Sequence, residues 1–350
     1  MTFDAWRHRF AVATVAATLA LIFIGGLVTS TGSGLSVPDW PLSYGMLMPP
    51  MVGGVFYEHG HRMAATAVGF LTLVLAIWTA RAEPRRGVRR LAWGALAAVI
   101  AQGLLGGLTV IYLLPTPVSV AHACLAQLFF CALIALATVT SREWLAVDSS
   151  LADREGGGPR SGTALSGGFG GERGASPAPS PTFPPNLIED VSGVRTAAIA
   201  ASAGVFVQLF LGAVMRHIGA GLAIPDFPTS FGRWVPPLDQ LPVAVHFAHR
   251  IGALVVTALV VRLAIAAWRA ADRRFRRPAA LIVGLVLVQV GLGAATVLTG
   301  KAVTPTTIHV AVGAAVLGSC WWLALRSARV LGRGSEAVAS AATFREPLVS

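Results

Sequence analysis

The sequence is poor in charged residues, which make up 12% of its 350 residues, about half the fraction of an ordinary soluble domain. Its three cysteines, Cys124, Cys131 and Cys320, all lie within apolar stretches, so no exposed pair is available for a structural disulfide or a zinc site. Apolar stretches of roughly 20 residues recur instead, each long enough to cross a bilayer core of about 30 Å. The sequence therefore predicts a membrane protein and excludes soluble, disulfide-rich secreted and fibrous classes.

The apolar stretches predict an all-α membrane protein with eight transmembrane helices. The predicted spans are residues 11–29, 61–80, 91–113, 118–140, 194–215, 243–268, 279–299 and 304–325. Arginines cluster in the even-numbered connections and after the last helix, whereas the first connection has no Lys or Arg. The positive-inside bias then places both termini in the cytoplasm. The net charge of +11 is interpreted as this orientation signal, and no nucleic-acid partner is expected.

The two halves of the chain repeat each other. GLSVPDWP at residues 34–41 matches GLAIPDFP at residues 221–228, and the later matches keep the same order. Each half has four helices, so the repeat is parallel and predicts two similar sites at similar depth. The predicted organisation comprises an N-terminal half at 1–140, a flexible cytoplasmic Gly/Ser/Pro linker at 141–192, a C-terminal half at 193–328 and a cytoplasmic tail at 329–350.

Four histidines lie at matching positions of the repeat, two in each half: His61, His122, His249 and His309. Each precedes an arginine by about twenty residues, or about 30 Å of helix, which predicts that all four lie near the outer boundary of the bilayer. In each half they belong to the second and fourth helices, which can face each other in a four-helix bundle. Two facing imidazoles suit the axial positions of a haem iron, so two haem sites are predicted. Zinc or copper is the competing hypothesis, but neither half offers a Cys or carboxylate set with tetrahedral spacing.

The halves differ beside the first histidine of each pair. Glu58 precedes His61 by three residues, and its counterpart in the second half is His246. Residues three apart share a helix face, so Glu58 is predicted to lie over the same pocket as His61, where a carboxylate can move protons or stabilise developing positive charge. The alternative is an interfacial acid paired with Arg62. The asymmetry favours one reacting site and one electron-carrying site.

Other polar residues near the histidines are predicted to contact the haem or the outer loops. Arg62 and Arg250, together with His246, are candidate contacts for haem propionates. The alternative is that the arginines pair with Asp39 and Asp226 or with lipid phosphates. The outer loops are predicted to fold over the pockets as lids, although interfacial anchoring by their aromatic residues predicts the same composition. Three further histidines are interpreted as solvated, loop or helix-end residues: His8, His59 and His217.

At this point the sequence resembles the haem A synthases, the CtaA and Cox15 group. The resemblance covers both halves and rests on the eight helices, the repeat, the loop sequence GSGLSVPDWP, and the histidines. Its E-x-x-H-R motif is formed by Glu58, His61 and Arg62. The sequence departs from the family at one point: many members carry a cysteine pair in the first outer loop, and residues 30–57 here contain none. The first outer loop therefore offers no thiol pair through which electrons could enter.

The resemblance implies oxidation of the C8 methyl of haem O to the formyl of haem A, by successive hydroxylations, for a terminal oxidase. It implies that His61 and His122 flank the substrate haem, with Glu58 as the catalytic carboxylate. It implies that His249 and His309 are the axial ligands of a haem b cofactor. The expected partners are haem O, a haem O synthase, cytochrome oxidase assembly factors, an unidentified electron donor, the lipid bilayer and a second copy of the chain. The absence of an Arg- and Ser-rich amphipathic presequence favours a prokaryotic plasma membrane.

Two other functions compete with this hypothesis. A bis-histidine di-haem b-type electron carrier needs the same histidine pairs but no substrate. It leaves Glu58 unexplained, and four histidines near one face suit only lateral electron transfer. A transporter would explain the repeat, but polar groups near the bilayer midplane are scarce. Gln102 and Gln289 are the main candidates, and both are also consistent with hydrogen bonds between helices.

Overall fold

The computed structural model describes residues 3–145, 185–270 and 272–343. Eight helices in these ranges are long and apolar enough to cross a membrane, and no strand forms within them beyond two isolated bridges. The helices are α1 (Ala5–Ser30), α2 (Gly53–Ala82), α3 (Arg86–Ile111), α4 (Thr116–Val139), α5 (Pro185–His217), α6 (Leu241–Arg269), α7 (Arg276–Leu298) and α8 (Val303–Thr343). The predicted all-α membrane fold with eight spanning helices is confirmed.

Three helices extend well beyond their predicted ends. Helix α2 begins at Gly53 rather than at residue 61, so Glu58 and His61 lie inside it. Helix α5 begins at Pro185, within the segment predicted as a linker, and α8 continues to Thr343 in the predicted tail. Residues 146–184 of the predicted linker lie outside the described residues, as does the end of the tail at 344–350. The length of an apolar stretch predicts only the part of a helix that lies in the hydrocarbon core. Polar turns at the ends of a helix are therefore not predicted from it.

Neighbouring helices pack in chain order within each half, and the halves meet through α1 and α4 on one side and α5 and α8 on the other. At this junction Phe130, Ile134 and Ala314 form a small buried cluster. Gly318 lets α8 approach α4, because a Cβ there would lie 2.7 Å from Ile134 and 2.9 Å from Phe130. Two long loops, residues 31–52 and 218–240, cover the same end of the bundle; we call them the first and second long loops.

The opposite end of the bundle is rich in arginine and contains a buried ion pair. Arg7 of α1 and Glu83, which follows α2, are 3% and 2% exposed, and Arg7 Nη2 lies 3.1 Å from a Glu83 oxygen. Burial raises the pKa of Glu83, but the neighbouring guanidinium of Arg85, and that of Arg7, outweigh it and hold the pKa below its ordinary value. His8, predicted to be solvated, is half-buried here, and its Nδ1 lies 3.1 Å from the carbonyl oxygen of Ala137. That prediction was wrong because the N-terminal turn of α1 packs against α4.

We expect Glu83→Gln to destabilise the folded protein by about 3–5 kcal/mol, because it leaves the buried Arg7 charge without its counter-charge. The pKa of Glu83 is lowered in the folded state, so its contribution is complete above the ordinary carboxyl pKa and is lost as pH falls through the folded pKa. Thermal unfolding in detergent between pH 7 and pH 4 measures both effects. Asp272→Asn is the matched control, since its partner Arg274 is 61% exposed. Equal losses in the two variants would contradict the prediction.

Candidate functional site

An aspartate folds each long loop into a tight turn. In the first loop the Asp39 carboxylate accepts hydrogen bonds from the main-chain N–H of Tyr44 at 2.7 Å and of Gly45 at 2.8 Å. Tyr44 has φ of 54° and Gly45 has φ of 71°, a conformation that these bonds help to stabilise. The N–H donors of Gly45 and Tyr44 hold the pKa of Asp39 below its usual range. The carboxylate therefore stays ionised and keeps the turn closed.

The second loop repeats this turn. Asp226 accepts from the main-chain N–H of Phe231 at 2.7 Å and of Gly232 at 2.9 Å, and from the Thr229 hydroxyl at 2.6 Å. Phe231 has φ of 57° and Gly232 has φ of 71°. The pKa of Asp226 is lowered by the Gly232 N–H, the Thr229 hydroxyl and the Phe231 N–H. The two loops thus use the same carboxylate–backbone contacts at matching positions of the repeat.

The arginine that follows each histidine fastens the loop to its helix. Arg62 of α2 donates to the main-chain oxygens of Asp39 at 2.7 Å, Leu42 at 2.9 Å and Val37 at 3.3 Å. It also donates to Glu58 at 2.8 Å. The expected pairing with Asp39 therefore involves the main-chain carbonyl rather than the carboxylate.

Arg250 of α6 has the same role in the second half. It donates to the main-chain oxygens of Asp226 at 2.6 Å, Thr229 at 2.7 Å and Ile224 at 3.2 Å. A guanidinium suits this task because its rigid fork serves several carbonyls at once. The contacts of Arg62 and Arg250 with haem propionates stay a prediction.

Glu58 is buried, with 4% of its surface exposed. Its Oε2 accepts a hydrogen bond from the Val37 N–H at 2.9 Å, and its Oε1 accepts from Arg62 at 2.8 Å. The pairing with Arg62 that was one of the two alternatives is present, but the pair lies under the first loop rather than at an exposed interface. His246, 3% exposed, accepts the equivalent bond at its Nδ1 from the Ile224 N–H at 3.2 Å. Glutamate and histidine therefore make the same loop contact in the two halves.

Each of the four predicted ligand histidines lies against a glycine of a neighbouring helix. A Cβ placed on these glycines would come within 3.1–3.2 Å of the imidazole Cε1, the pairs being Gly25 with His61, Gly106 with His122, Gly212 with His249 and Gly293 with His309. The two histidines of each half are also close enough for their charges to interact. That each pair holds a haem between its two imidazoles stays a prediction. Among the described residues, no three His, Cys, Asp or Glu side chains group as a metal cage would require.

Three glutamines contact these histidines. Gln102 Nε2 donates to the His122 carbonyl at 2.9 Å and lies 3.2 Å from its Nε2, while Gln289 Nε2 lies 3.4 Å from His309 Nε2. These are the cross-helix contacts expected of Gln102 and Gln289. Gln208 donates to the His249 carbonyl at 2.8 Å and lies 3.1 Å from its Nδ1. This contact was not predicted from the sequence.

The donor set fits a haem held by two imidazoles. A histidine that binds iron through Nε2 carries a proton on Nδ1 and needs an acceptor for it. The amide oxygens of all three glutamines are buried without a hydrogen-bond partner in the described part of the chain, as are Nδ1 of His61 and of His122. In the second half such acceptors are present: the Gln208 amide, rotated about its last torsion, offers its oxygen to His249 Nδ1, and the Gln289 main-chain oxygen lies 3.1 Å from His309 Nδ1. The glycine beside each imidazole leaves room for the ring, which a larger side chain at that glycine position would occupy.

Two contacts distinguish the first half from the second. Trp40 of the first loop lies on α3, where a Cβ on Gly107 would come 2.6 Å from the indole ring; the matching position in α7 is Ala294. His59, next to Glu58, is buried within α2, and its Nδ1 lies 2.8 Å from the Ser43 hydroxyl of the first loop. The loop contact of His59 was missed because Phe247 replaces it in the repeat. These two contacts hold the first loop against α2 and α3, and the lid role of the loops stays a prediction.

The end of α5 links the two sites. Arg216 donates to the Ser30 hydroxyl of α1 at 3.3 Å, and the His217 carbonyl accepts from the Thr116 hydroxyl of α4 at 3.3 Å. Arg216 is also close enough to His309, and His217 to His122, for their charges to interact. His217 is the helix-end residue that the sequence predicted, and with Arg216 it forms a polar bridge between the halves.

The chain is similar to known proteins over most of its length. A family model described as the cytochrome oxidase assembly protein COX15-CtaA matches residues 8–53, 54–148 and 175–321. A protein of Symbiobacterium thermophilum named Heme A synthase is 31% identical over 81% of this chain and 83% of its own length. Proteins of the same name from Halalkalibacterium halodurans and Methylobacterium radiotolerans are 30% and 29% identical, each over 86% of this chain and over 90% and 84% of their own lengths.

We expect Gly293→Ala to weaken haem binding, because its Cβ would lie 3.2 Å from Cε1 of His309 and displace the ring. The loss should fall within the range of substitutions around metal ligands, about 10–100-fold in affinity. Haem per chain after purification, measured by pyridine haemochrome, gives the result. Gly291→Ala, two residues away on α7 and with no atom within 4 Å of its Cβ, is the control. Normal haem content in the Gly293 variant would show that the His309 imidazole does not require a glycine at position 293.

Proposed function

This chain belongs to the COX15-CtaA family and is a haem A synthase, and we propose from that premise that its two halves hold haems with different roles. The enzyme is an oxidoreductase that converts haem O to haem A in the membrane. In our proposal the N-terminal half binds haem O as substrate between His61 and His122. The C-terminal half binds haem b as cofactor between His249 and His309.

The main support for this assignment is the difference between Glu58 and His246, which occupy equivalent positions of the repeat. Both accept a hydrogen bond from the equivalent loop N–H, of Val37 and of Ile224, so the loop contact does not require a carboxylate. What Glu58 adds is a negative charge one helical turn from His61. A buried carboxylate without a purely structural need, beside one histidine pair only, is a strong indicator of a reacting site.

The residues of the N-terminal half support the oxidation of a methyl group in distinct ways. Haem iron, when bound, supplies the redox chemistry of the reaction. His61 and His122 hold and orient the macrocycle, and the first loop with Trp40 shields the pocket from water. Arg62 donates to Glu58 at 2.8 Å and balances its negative charge. As a carboxylate, Glu58 stabilises positive charge that develops at the reacting carbon and accepts the proton released there.

The C-terminal half has the features of an electron-carrying site. Both of its histidines contact a glutamine, and its counterpart of the acid is His246. Two well-held imidazoles leave iron no open position, which suits electron transfer rather than reaction with a substrate. We therefore propose haem b here. Arg216 and His217 lie between this site and the N-terminal one, where electrons would pass.

The protein is a multi-pass plasma-membrane protein of the bacterial type. We propose that the long loops and both haem sites face outward and that the termini are cytoplasmic, as the arginine pattern supports. Haem O is an apolar substrate, so direct transfer from a haem O synthase within the membrane, and delivery to oxidase assembly factors, are the partnerships we propose. A b-type electron carrier is less favoured because it gives Glu58 no role.

We expect Glu58→His to abolish haem A formation while keeping the fold, because it gives the first half the loop contact of the second. Removal of a catalytic proton acceptor lowers the rate by about 10²–10⁴-fold. The measurement is HPLC of the pigments bound to purified wild type, Glu58→His and Glu58→Gln, each expressed with a haem O synthase. Wild type should carry haem b and haem A, and both variants haem b with haem O or a hydroxylated intermediate. Haem A at the wild-type level in Glu58→His would refute the role of Glu58.

We expect His249→Ala to remove a tightly held haem b, because it deletes one of the two axial ligands of the C-terminal site. His61→Ala should instead leave haem b in place and lower the content of haem O and haem A. Pyridine haemochrome spectra of the two purified variants distinguish these results. Retention of normal haem b in His249→Ala would overturn the assignment of the two sites.

A further inference from the structure

Of the four ligand histidines, His61 alone lacks a glutamine neighbour. Gln102 and Gln289 occupy matching positions of the repeat and contact His122 and His309. Gln208 contacts His249. Among the residues that the structure describes, Nδ1 of His61 and Nδ1 of His122 are buried without a hydrogen-bond partner, but Gln102 still donates to the His122 carbonyl. In the second half His249 Nδ1 lies 3.1 Å from Gln208, and His309 Nδ1 lies 3.1 Å from the Gln289 main-chain oxygen.

The missing glutamine is a substitution within the repeat. Gly25 and Gly212 mark equivalent positions, since each lies against the first histidine of its half. Four residues before Gly212 stands Gln208, and four residues before Gly25 stands Leu21. Leu21 packs against the apolar core of the N-terminal half, so it offers His61 neither a donor nor an acceptor.

The packing around Gln208 also differs from the packing around Leu21. A Cβ on Gly252 would collide with the amide oxygen of Gln208, so the C-terminal half keeps a glycine where the glutamine needs room. The matching residue, three positions after His61, is Ala64. The N-terminal half thus has neither the glutamine nor the glycine that makes room for it.

We propose that Gln208 is a positioning residue that keeps His249 on its haem iron, and that His61, which alone of the four histidines contacts no glutamine, is the exchangeable ligand of the N-terminal site. The inference rests on the proposed function, in which each half binds a haem. A polar partner at Nδ1 fixes the orientation of a metal-bound histidine and raises its basicity, and its loss weakens the bond. Because Glu58 and His61 share one face of α2, the side of the haem that opens is the side that carries the carboxylate.

Carbon monoxide tests this inference, since it binds ferrous haem only where an axial position can open. We expect the dithionite-reduced wild-type holoprotein to bind carbon monoxide at the N-terminal haem alone. Gln208→Met, which keeps the length of the side chain without its hydrogen bonds, should make the C-terminal haem reactive as well. The reciprocal variant Leu21→Gln with Ala64→Gly should slow binding at the N-terminal haem about tenfold or more.

Gln208→Glu separates positioning from simple packing. It keeps an acceptor for the Nδ1 proton, so its C-terminal haem should stay unreactive towards carbon monoxide, and its midpoint potential should fall because a carboxylate makes the imidazole more basic. Wild-type behaviour of Gln208→Met, or unchanged carbon monoxide binding in the Leu21→Gln, Ala64→Gly chain, would overturn the inference. Haem content per chain is measured for every sample, and a wild-type chain that holds haem in one half only would contradict the proposed function instead.

Discussion

The site depends on one kind of contact, the bonds from a half-buried guanidinium to the carbonyl oxygens of a loop. Arg62 and Arg250 each follow a ligand histidine and each donate to three main-chain oxygens of their long loop. Loop carbonyls that pack on an apolar bundle would otherwise lack donors, at a cost of about 1–3 kcal/mol for each unsatisfied group. The loops can therefore close over the ends of the helices, and the histidines beneath them are removed from water.

On this common frame, a few substitutions give the halves different chemistry. Glu58 in place of His246 adds a charge, and Leu21 in place of Gln208 removes a hydrogen bond from an imidazole. Gly107 in place of Ala294 admits the indole of Trp40. None of these exchanges alters the turn formed by the loop aspartate. A duplicated scaffold can therefore separate its two roles while the packing that holds both histidine pairs stays the same.

Much of this arrangement follows from the sequence because it depends on local patterns. Apolar length identified the eight helices, and the repeat identified both histidine pairs and the exchange at Glu58. Gln208 was missed because its partner His249 lies 41 residues away and the repeat offers no second copy, although an amide inside an apolar helix is itself a signal. The early start of α2 was missed for a different reason. Glu58, His59 and Arg62 are polar, and only the folded loop supplies the partners that bury them.

The same turns of α2 carry His61, the proposed ligand, Glu58, the proposed acid, and the contacts with the first loop. Val37 bonds to Glu58, Ser43 bonds to His59, and Arg62 joins the loop carbonyls to Glu58. Each of these bonds ends within four residues of His61 on one helix. Arg62 lies one turn from Glu58 on α2 and balances its charge, while the Val37 N–H of the loop bonds to the other carboxylate oxygen. The position of the first loop and the orientation of Glu58 are therefore coupled, because the loop bonds to Glu58 directly and also to the arginine that pairs with it.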